Sequence, residues 1–243
     1  MSRTLSEVLH KARAMGVEAL DEPSGKSVLK SAGINVPKSV VVRVGDDVAA
    51  AVSDLRAPLA LKVVATGVVH KSDVGGVKLN IQDAAAAVDA AFDLREAMKA
   101  RGIEPEAWLF EEMAPRGVEV VVGGTMDPEF GPMIMVGLGG IFVEVLKDVA
   151  FRICPIRERD AREMLSELKG AAVLKGARGG EPANIDAIVD VLLRVGGDDG
   201  ILMQGAGELA EIDVNPLIVS KHAAVAVDAR FILRKERAIN VHA

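Results

Sequence analysis

The order of apolar patterns predicts a mixed α/β (α+β) protein in two lobes, from three observations. Up to residue 102, helical and strand-like stretches alternate. Beyond Gly102, strand-like stretches follow one another across short links, which favours antiparallel pairing. Half of the 243 residues are hydrophobic but only 3% are aromatic, so Ala and Val supply the apolar mass. That composition suits a sheet covered by Ala-rich helices.

Residues 5–20 read as a helix with Gly16 as a stop, and 24–31 as a second helix ending at Gly33. Pro37 leads into a strand at 39–42. Asp46 or Asp47 caps a helix with Val48, Val52 and Leu55 at i, i+4, i+7, and Pro58 stops it. Strands follow at 59–64 and 77–81, separated by a loop at 66–76. Asp83 starts an Ala-rich helix with Ala87, Ala91, Leu94 and Met98 on one stripe. Later strands are expected at 108–110, 118–122, 133–136, 141–146 and 149–153. Two helices come next, with Ala161, Met164, Leu165 and Leu168 on one stripe and Ile185, Ile188, Val189 and Leu192 on the other. Gly170 and Gly196 close them. Strands at 209–214 and 224–229 end the pattern. The expected lobes are 1–104 and 105–243, hinged near 103–115, with 170–182 as a mobile loop.

Net charge is −6, which argues against a nucleic-acid surface built on excess Lys and Arg. The one cysteine, Cys154, reads as a small buried hydrophobe and gives no internal disulfide. The first residues lack a signal-peptide core, and the longest weakly charged stretch, 132–143, is too short to span a bilayer. No membrane association is expected, and the expected location is the cytoplasm. Three glycine stretches are decoys. Residues 65–72 lack the glycines and the following helix of a phosphate-binding loop, 137–140 run into a β-like stretch, and 205–210 leave no room for a crossover helix.

Lys62 lies within the apolar run 59–64 and shares a strand face with Ala60 and Val64. It is either a solvated edge residue or a phosphate ligand. The loop that follows holds His70, Lys71, Ser72, Gly75 and Gly76: an imidazole, an ammonium, a hydroxyl and two glycines that let backbone N–H groups approach an anion. Neutral imidazole is a competent nucleophile near neutral pH, which makes transient phosphorylation of His70 chemically reasonable. The alternative is an exposed loop histidine.

Alternation in 209–215 places Glu211, Asp213 and Asn215 on one face and Ala210, Ile212 and Val214 on the other. The oxygen-bearing face suits a hard cation such as Mg²⁺; the alternative is a solvated strand face. A two-residue turn at Lys221-His222 would set Ser220 opposite Ala223 and Asn215 opposite Asp228. Lys-His is poor chemistry for a tight primed turn. Glu111, Glu112 and Glu119 lie in or just beyond the hinge, where they are either surface residues or contacts to a ribose hydroxyl or an amino group.

Together, 61–64, 70–79, 130–132, 137–148 and 211–217 resemble the ATP-grasp fold, in which a nucleotide binds between two lobes. More closely, they resemble the β subunit of the ADP-forming (NDP-forming) acetyl-CoA synthetases. The resemblance implies that acyl-CoA, ADP and phosphate interconvert with free acid, CoA and ATP, with a phosphohistidine carrying the phosphoryl group. It places Lys62 on the nucleotide phosphates and the Gly75-Gly76 loop, with Lys71 and Ser72, over them. Glu111, Glu112, Met113 and Ala114 would meet the adenine, and Glu119 the ribose. Asn215 and Asp228 would hold Mg²⁺, with Asp213 beside them. His70 resembles a phosphohistidine that receives the group before it passes to ADP. ATP/ADP and Mg²⁺ are the implied cofactors. No CoA-binding domain resembles any part of the chain, so an α subunit is expected as partner, as α₂β₂. The rival readings are a succinate- or malate-type ligase β subunit and a non-catalytic ATP-binding regulatory module.

Overall fold

The computed structural model describes residues 3–65, 68, 71, 73–176 and 180–234. In chain order, α1 (Arg3–Ala14) and α2 (Glu22–Ser31) open the fold. Next come β1 (Ser39–Arg43), α3 (Val48–Ala51), β2 (Leu59–Val64), β3 (Val77–Ile81), α4 (Ala84–Lys99) and β4 (Ala107–Glu112). The remainder is β5 (Val118–Asp127), β6 (Gly131–Leu138), α5 (Ile141–Glu144), β7 (Val149–Ile153), α6 (Glu158–Glu167), α7 (Ala171–Leu174), α8 (Ile185–Gly196), α9 (Ile201–Gln204), β8 (Leu209–Val219), β9 (Ala224–Ala226) and β10 (Arg230–Leu233).

These elements form two units, Pro37–Ala114 and a second made of Met1–Val36 with Pro115–Ala243. The expected boundary at 104/105 falls inside the first of these. The reason is strand order. The sheet of residues 37–114 runs β1-β4-β2-β3, so β4 is one of its two inner strands and cannot leave with the C-terminal half. Residues 1–36 pack instead with the other unit, where Ala19 bridges Ile232.

In the 37–114 unit every strand pair is antiparallel. Asp47 caps α3 by accepting from Ala50 N (3.1 Å), and Asp83 caps α4 by accepting from Ala86 N (2.8 Å). Ala87, Ala90, Ala91, Leu94 and Met98 of α4 lie in one core with Leu59, Leu61, Val63, Trp108 and Phe110 of the sheet. Small Ala side chains let the helix axis come close to the strands, so bulk is supplied from the sheet side.

The other unit carries a six-stranded antiparallel sheet, β10-β8-β5-β6-β7, with β9 also on β8. Val120, Val122, Ile134, Val136, Ile212 and Val214 are buried in one core with Met164, Leu165, Ile188 and Leu192 of α6 and α8. Three local expectations change. Residues 141–144 form a helical turn rather than a strand, because Gly140 takes a positive φ and the chain closes through Asp148 N donating to Phe142 O (3.0 Å). The first helix ends at Ala14 and not at Leu20, with Gly16 at φ 66° just beyond it. The strand expected at 224–229 is shorter, β9 at Ala224–Ala226, and a further strand that was not expected, β10, follows at Arg230–Leu233 with Asp228 between them.

Candidate functional site

In the 37–114 unit, Lys62 is no edge residue. It lies on β2 between β4 and β3, opposite Leu109 and Val77, and only 5% of it is exposed. Ala60 lies opposite Glu111, so Lys62 and Glu111 are diagonal neighbours on one face of the sheet. The Lys62 ammonium stands 3.0 Å from the Glu111 carboxylate, and both side chains are buried. Two opposite charges taken out of water together mark a site that either fixes the sheet register or receives a ligand.

The neighbouring residues are committed locally. Glu112 accepts from Arg56 through the backbone N–H (3.0 Å) and the guanidinium (3.3 and 3.2 Å). Those bonds, the backbone one first, hold its carboxyl below the usual carboxylate range. Met113 N donates to Pro58 O (3.0 Å), and its sulfur accepts from Asn80 N (3.3 Å). Ala114 is half-buried and closes the unit.

His70 and Ser72 lie outside the described residues. Gly75 and Gly76 are described, and both are required by the loop itself. Gly75 has φ 66°, a left-handed conformation that side chains disfavour. A Cβ on Gly76 would meet Val63 at 2.6 Å. Gly76 N donates to Lys71 O (2.7 Å), and Gly76 O accepts from Val63 N (2.9 Å). The Gly76 N–H expected to face an anion is therefore used within the loop, which it closes against β2.

In the other unit the register expected from the sequence holds. Ser220 N donates to Ala223 O (2.9 Å), and Val219, Ile218 and Leu217 face Ala224, Val225 and Ala226. Beyond the break, Asp213 faces Arg230 and Ile212 faces Phe231 in the same register. Carried across that break, the count runs from Asn215 to Asp228; on its other side β8 is irregular there, since Leu217 faces Val120 but Val214 faces Val122, so that Asn215 and Pro216 share one position of β5. Ile212 and Val214 are buried, Glu211 and Asp213 are half-buried and Asn215 is exposed, as alternation requires. Asp228 Oδ1 accepts from Ala229 N (2.7 Å).

Sequence reasoning missed Arg230 on this face. It sits opposite Asp213 and makes an ion pair with Glu211, which removes Glu211 from the simple picture of an open carboxylate face. Period-two alternation from Asp228 would have placed it there. Among the described residues, no cluster of three or more His, Cys, Asp and Glu side chains has metal-binding geometry. The donor set Asp213, Asn215 and Asp228 contains one amide oxygen and two carboxylates, hard ligands that fit Mg²⁺. Glu119 is exposed at the start of β5, and its carbonyl accepts from Gly139 N (2.7 Å).

The family model described as "ATP-grasp domain" matches residues 11–233. The β subunit of acetate–CoA ligase [ADP-forming] I of Pyrococcus furiosus is 42% identical over 231 residues, which are 93% of this chain and 97% of that subunit. The chain belongs to the ATP-grasp family, among the β subunits of ADP-forming acetate–CoA ligases. This ATP-grasp chain is also 42% identical to acetate–CoA ligase [ADP-forming] I of Archaeoglobus fulgidus over 226 residues; these are 92% of the chain but 31% of that longer protein. A solved structure of acetyl-coenzyme A synthetase 1 from Ca. Korarchaeum cryptofilum, in complex with coenzyme A, Ca-AMPCP and HgCl⁺, superposes with a TM-score of 0.88 at 39% identity. It covers 94% of the chain and 99% of its own. Another structure of that enzyme, with coenzyme A and Mg-AMPPCP and its phosphohistidine segment pointing towards the nucleotide site, has a TM-score of 0.81 at 38% identity, covering 95% and 100%.

Proposed function

We propose that this ATP-grasp subunit binds ATP/ADP with Mg²⁺ and moves a phosphoryl group between nucleotide and phosphohistidine. With an α subunit, it thereby couples acyl-CoA, ADP and phosphate to acid, CoA and ATP. What supports this reading is the register of β8 with β9 and β10: the same count holds on both sides of the break between them, and carried across it runs from Asn215 to Asp228, with Asp213 on the same strand as Asn215. Bound there, Mg²⁺ would supply charge neutralisation for the phosphate oxygens, which with positioning is most of what phosphoryl transfer asks of a protein.

Lys62 supplies the remaining fixed positive charge. Its ammonium is bound to Glu111, so contact with a nucleotide exchanges part of that ion pair for the ligand. A donor beside an acceptor also matches adenine, which offers an N7 acceptor and an N6 donor on one edge, and mismatches guanine, which offers two acceptors. Lys71 and Gly75 would close over the phosphates, and Glu112, Met113 and Ala114 would line the adenine side. Glu119 would take the ribose. His70 and Ser72 keep the roles that the resemblance implies.

The related β subunit of Pyrococcus furiosus supports a separate α partner, and the longer Archaeoglobus fulgidus protein supports the same parts joined in one chain. Our reading of the assembly is α₂β₂, in the cytoplasm. No helix among the described residues is long and apolar enough to cross a membrane.

Calorimetric titration of the full chain with Mg-ATP and Mg-GTP checks the nucleotide half of this account. ATP is expected to bind more tightly, and Lys62→Gln paired with Glu111→Gln, which keeps the buried site neutral, to weaken ATP by about 2 kcal/mol. Undiminished binding in the paired variant would remove Lys62 and Glu111 from the site.

A further inference from the structure

The first 36 residues pack with the C-terminal part of the chain, and besides contacts to Arg194 and Glu208 they line one returning stretch of it. Ala226 N donates to Asn35 O (2.8 Å), Leu20 N to Phe231 O (3.0 Å), and Leu233 N to Glu18 O (2.8 Å). From within α2, a Cβ added to Gly25 would stand 3.1 Å from Ala229 O and 3.0 Å from the Phe231 ring. The returning stretch 226–233 is thus held by β8 on one side and by residues 18–35 on the other.

Asp228 lies where the first of these supports lapses. Val227 N still donates to Pro216 O (2.9 Å), and pairing with β8 resumes at Arg230. Between them, Ala229 is approached from the other side by Gly25 of α2. Gly25 is also a costly choice for its own helix, because glycine within a helix costs about 0.5–1 kcal/mol relative to alanine. The gain is close approach of the helix backbone to Ala229. One turn of the same helix carries a buried ion pair, Lys26 to Glu22 at 2.7 Å, which ties its side chains together on either side of Gly25.

We propose that α2 is a positioning element for the metal site, acting through Gly25 on the Ala229–Phe231 backbone to place the Asp228 carboxylate opposite Asn215. The proposal rests on the reading of Asp228 as a Mg²⁺ ligand. Gly25 touches neither metal nor nucleotide and is a positioning residue only.

Mn²⁺ titration of the full chain with AMPPCP, with bound Mn²⁺ counted by electron paramagnetic resonance, tests it without any turnover. Gly25→Val is expected to weaken Mn²⁺ binding about tenfold, as loss of an outer support does at metal sites, and Gly25→Ala about threefold. AMPPCP binding without metal should stay unchanged in both. Val189→Ala, in the α8 core, should lower the melting temperature and leave Mn²⁺ affinity as in the wild type. A folded Gly25→Val with wild-type Mn²⁺ affinity overturns the proposal. If that variant does not fold, wild-type affinity in Gly25→Ala overturns it. Unchanged affinity in Asp228→Ala would instead overturn the metal-site reading on which the proposal stands.

Discussion

Among the described residues, buried charge comes in partnered form, and each partnership predicts its own mutational sign. Glu22 and Lys26 are both buried and 2.7 Å apart. Lys26→Met leaves a carboxylate without its ammonium and is expected to cost about 3–5 kcal/mol in urea unfolding. Adding Glu22→Leu should recover most of that loss; a double variant as unstable as the single one would contradict the pairing. Asp148 is buried for a different reason, since its two oxygens accept from Lys169 N and Gly170 N, both at 2.8 Å. Burial pushes the Cys154 thiol up to about 11. The folded thiol therefore holds its proton more tightly than the unfolded one, and its contribution to stability is lost as pH rises from 9.0 towards about 11. Alkylation by iodoacetamide at mildly alkaline pH should be slow in the native chain and fast in denaturant. Equal rates would place the thiol in solvent. Of these residues, Cys154 was legible from its apolar neighbours, whereas nothing in the order of residues 169–170 marks them as partners of Asp148.

Among elements, the β8–β9 turn shows where local rules stop. Lys221-His222 lacks the residues of a primed turn, yet the register counted from it is the one observed. Neither residue has a positive φ. The Ser220 hydroxyl instead accepts from His222 N and Ala223 N, both at 3.2 Å, and supplies the closure that a primed turn would. Ser220→Ala should therefore cost about 1 kcal/mol. The double substitution Lys221→Asn with His222→Gly, which installs the residues a primed turn prefers, should give no gain in melting temperature. A clear gain would show that the turn is strained as it stands. The pattern of Glu211, Asp213 and Asn215 was legible because buried and more exposed residues alternate from Glu211 to Asn215; the change of phase that follows, with Leu217 and Val219 buried, was not. The turn at 141–144 was not, because Ile141, Phe142 and Val143 have strand propensity that Gly140 and the Asp148–Phe142 hydrogen bond override.

At the scale of the whole chain, pattern gave the fold class and most of the strands, while the membership of the sheets and the partition between units had to come from pairing. Strand β4 is inserted between β1 and β2, and Ala19 bridges Ile232 across most of the sequence. Neither pairing has a local signature, so a boundary read along the chain falls at the composition change after Gly102. The candidate site was legible to the same extent. Lys62, Asn215 and Asp228 stand out by strand phase, but the ion pair of Lys62 with Glu111 and that of Glu211 with Arg230 depend on neighbouring strands. The function proposed for the chain is phosphoryl transfer, and the most direct measurement is of the group itself. With γ-labelled ATP, Mg²⁺ and the α partner, the chain should acquire an acid-labile, base-stable label as the γ-phosphoryl passes to an imidazole nitrogen and ADP leaves. That label should be absent in His70→Ala, which should still bind Mg-ATP as the wild type does. No label on a chain that binds Mg-ATP, or a label that survives His70→Ala, would contradict the account.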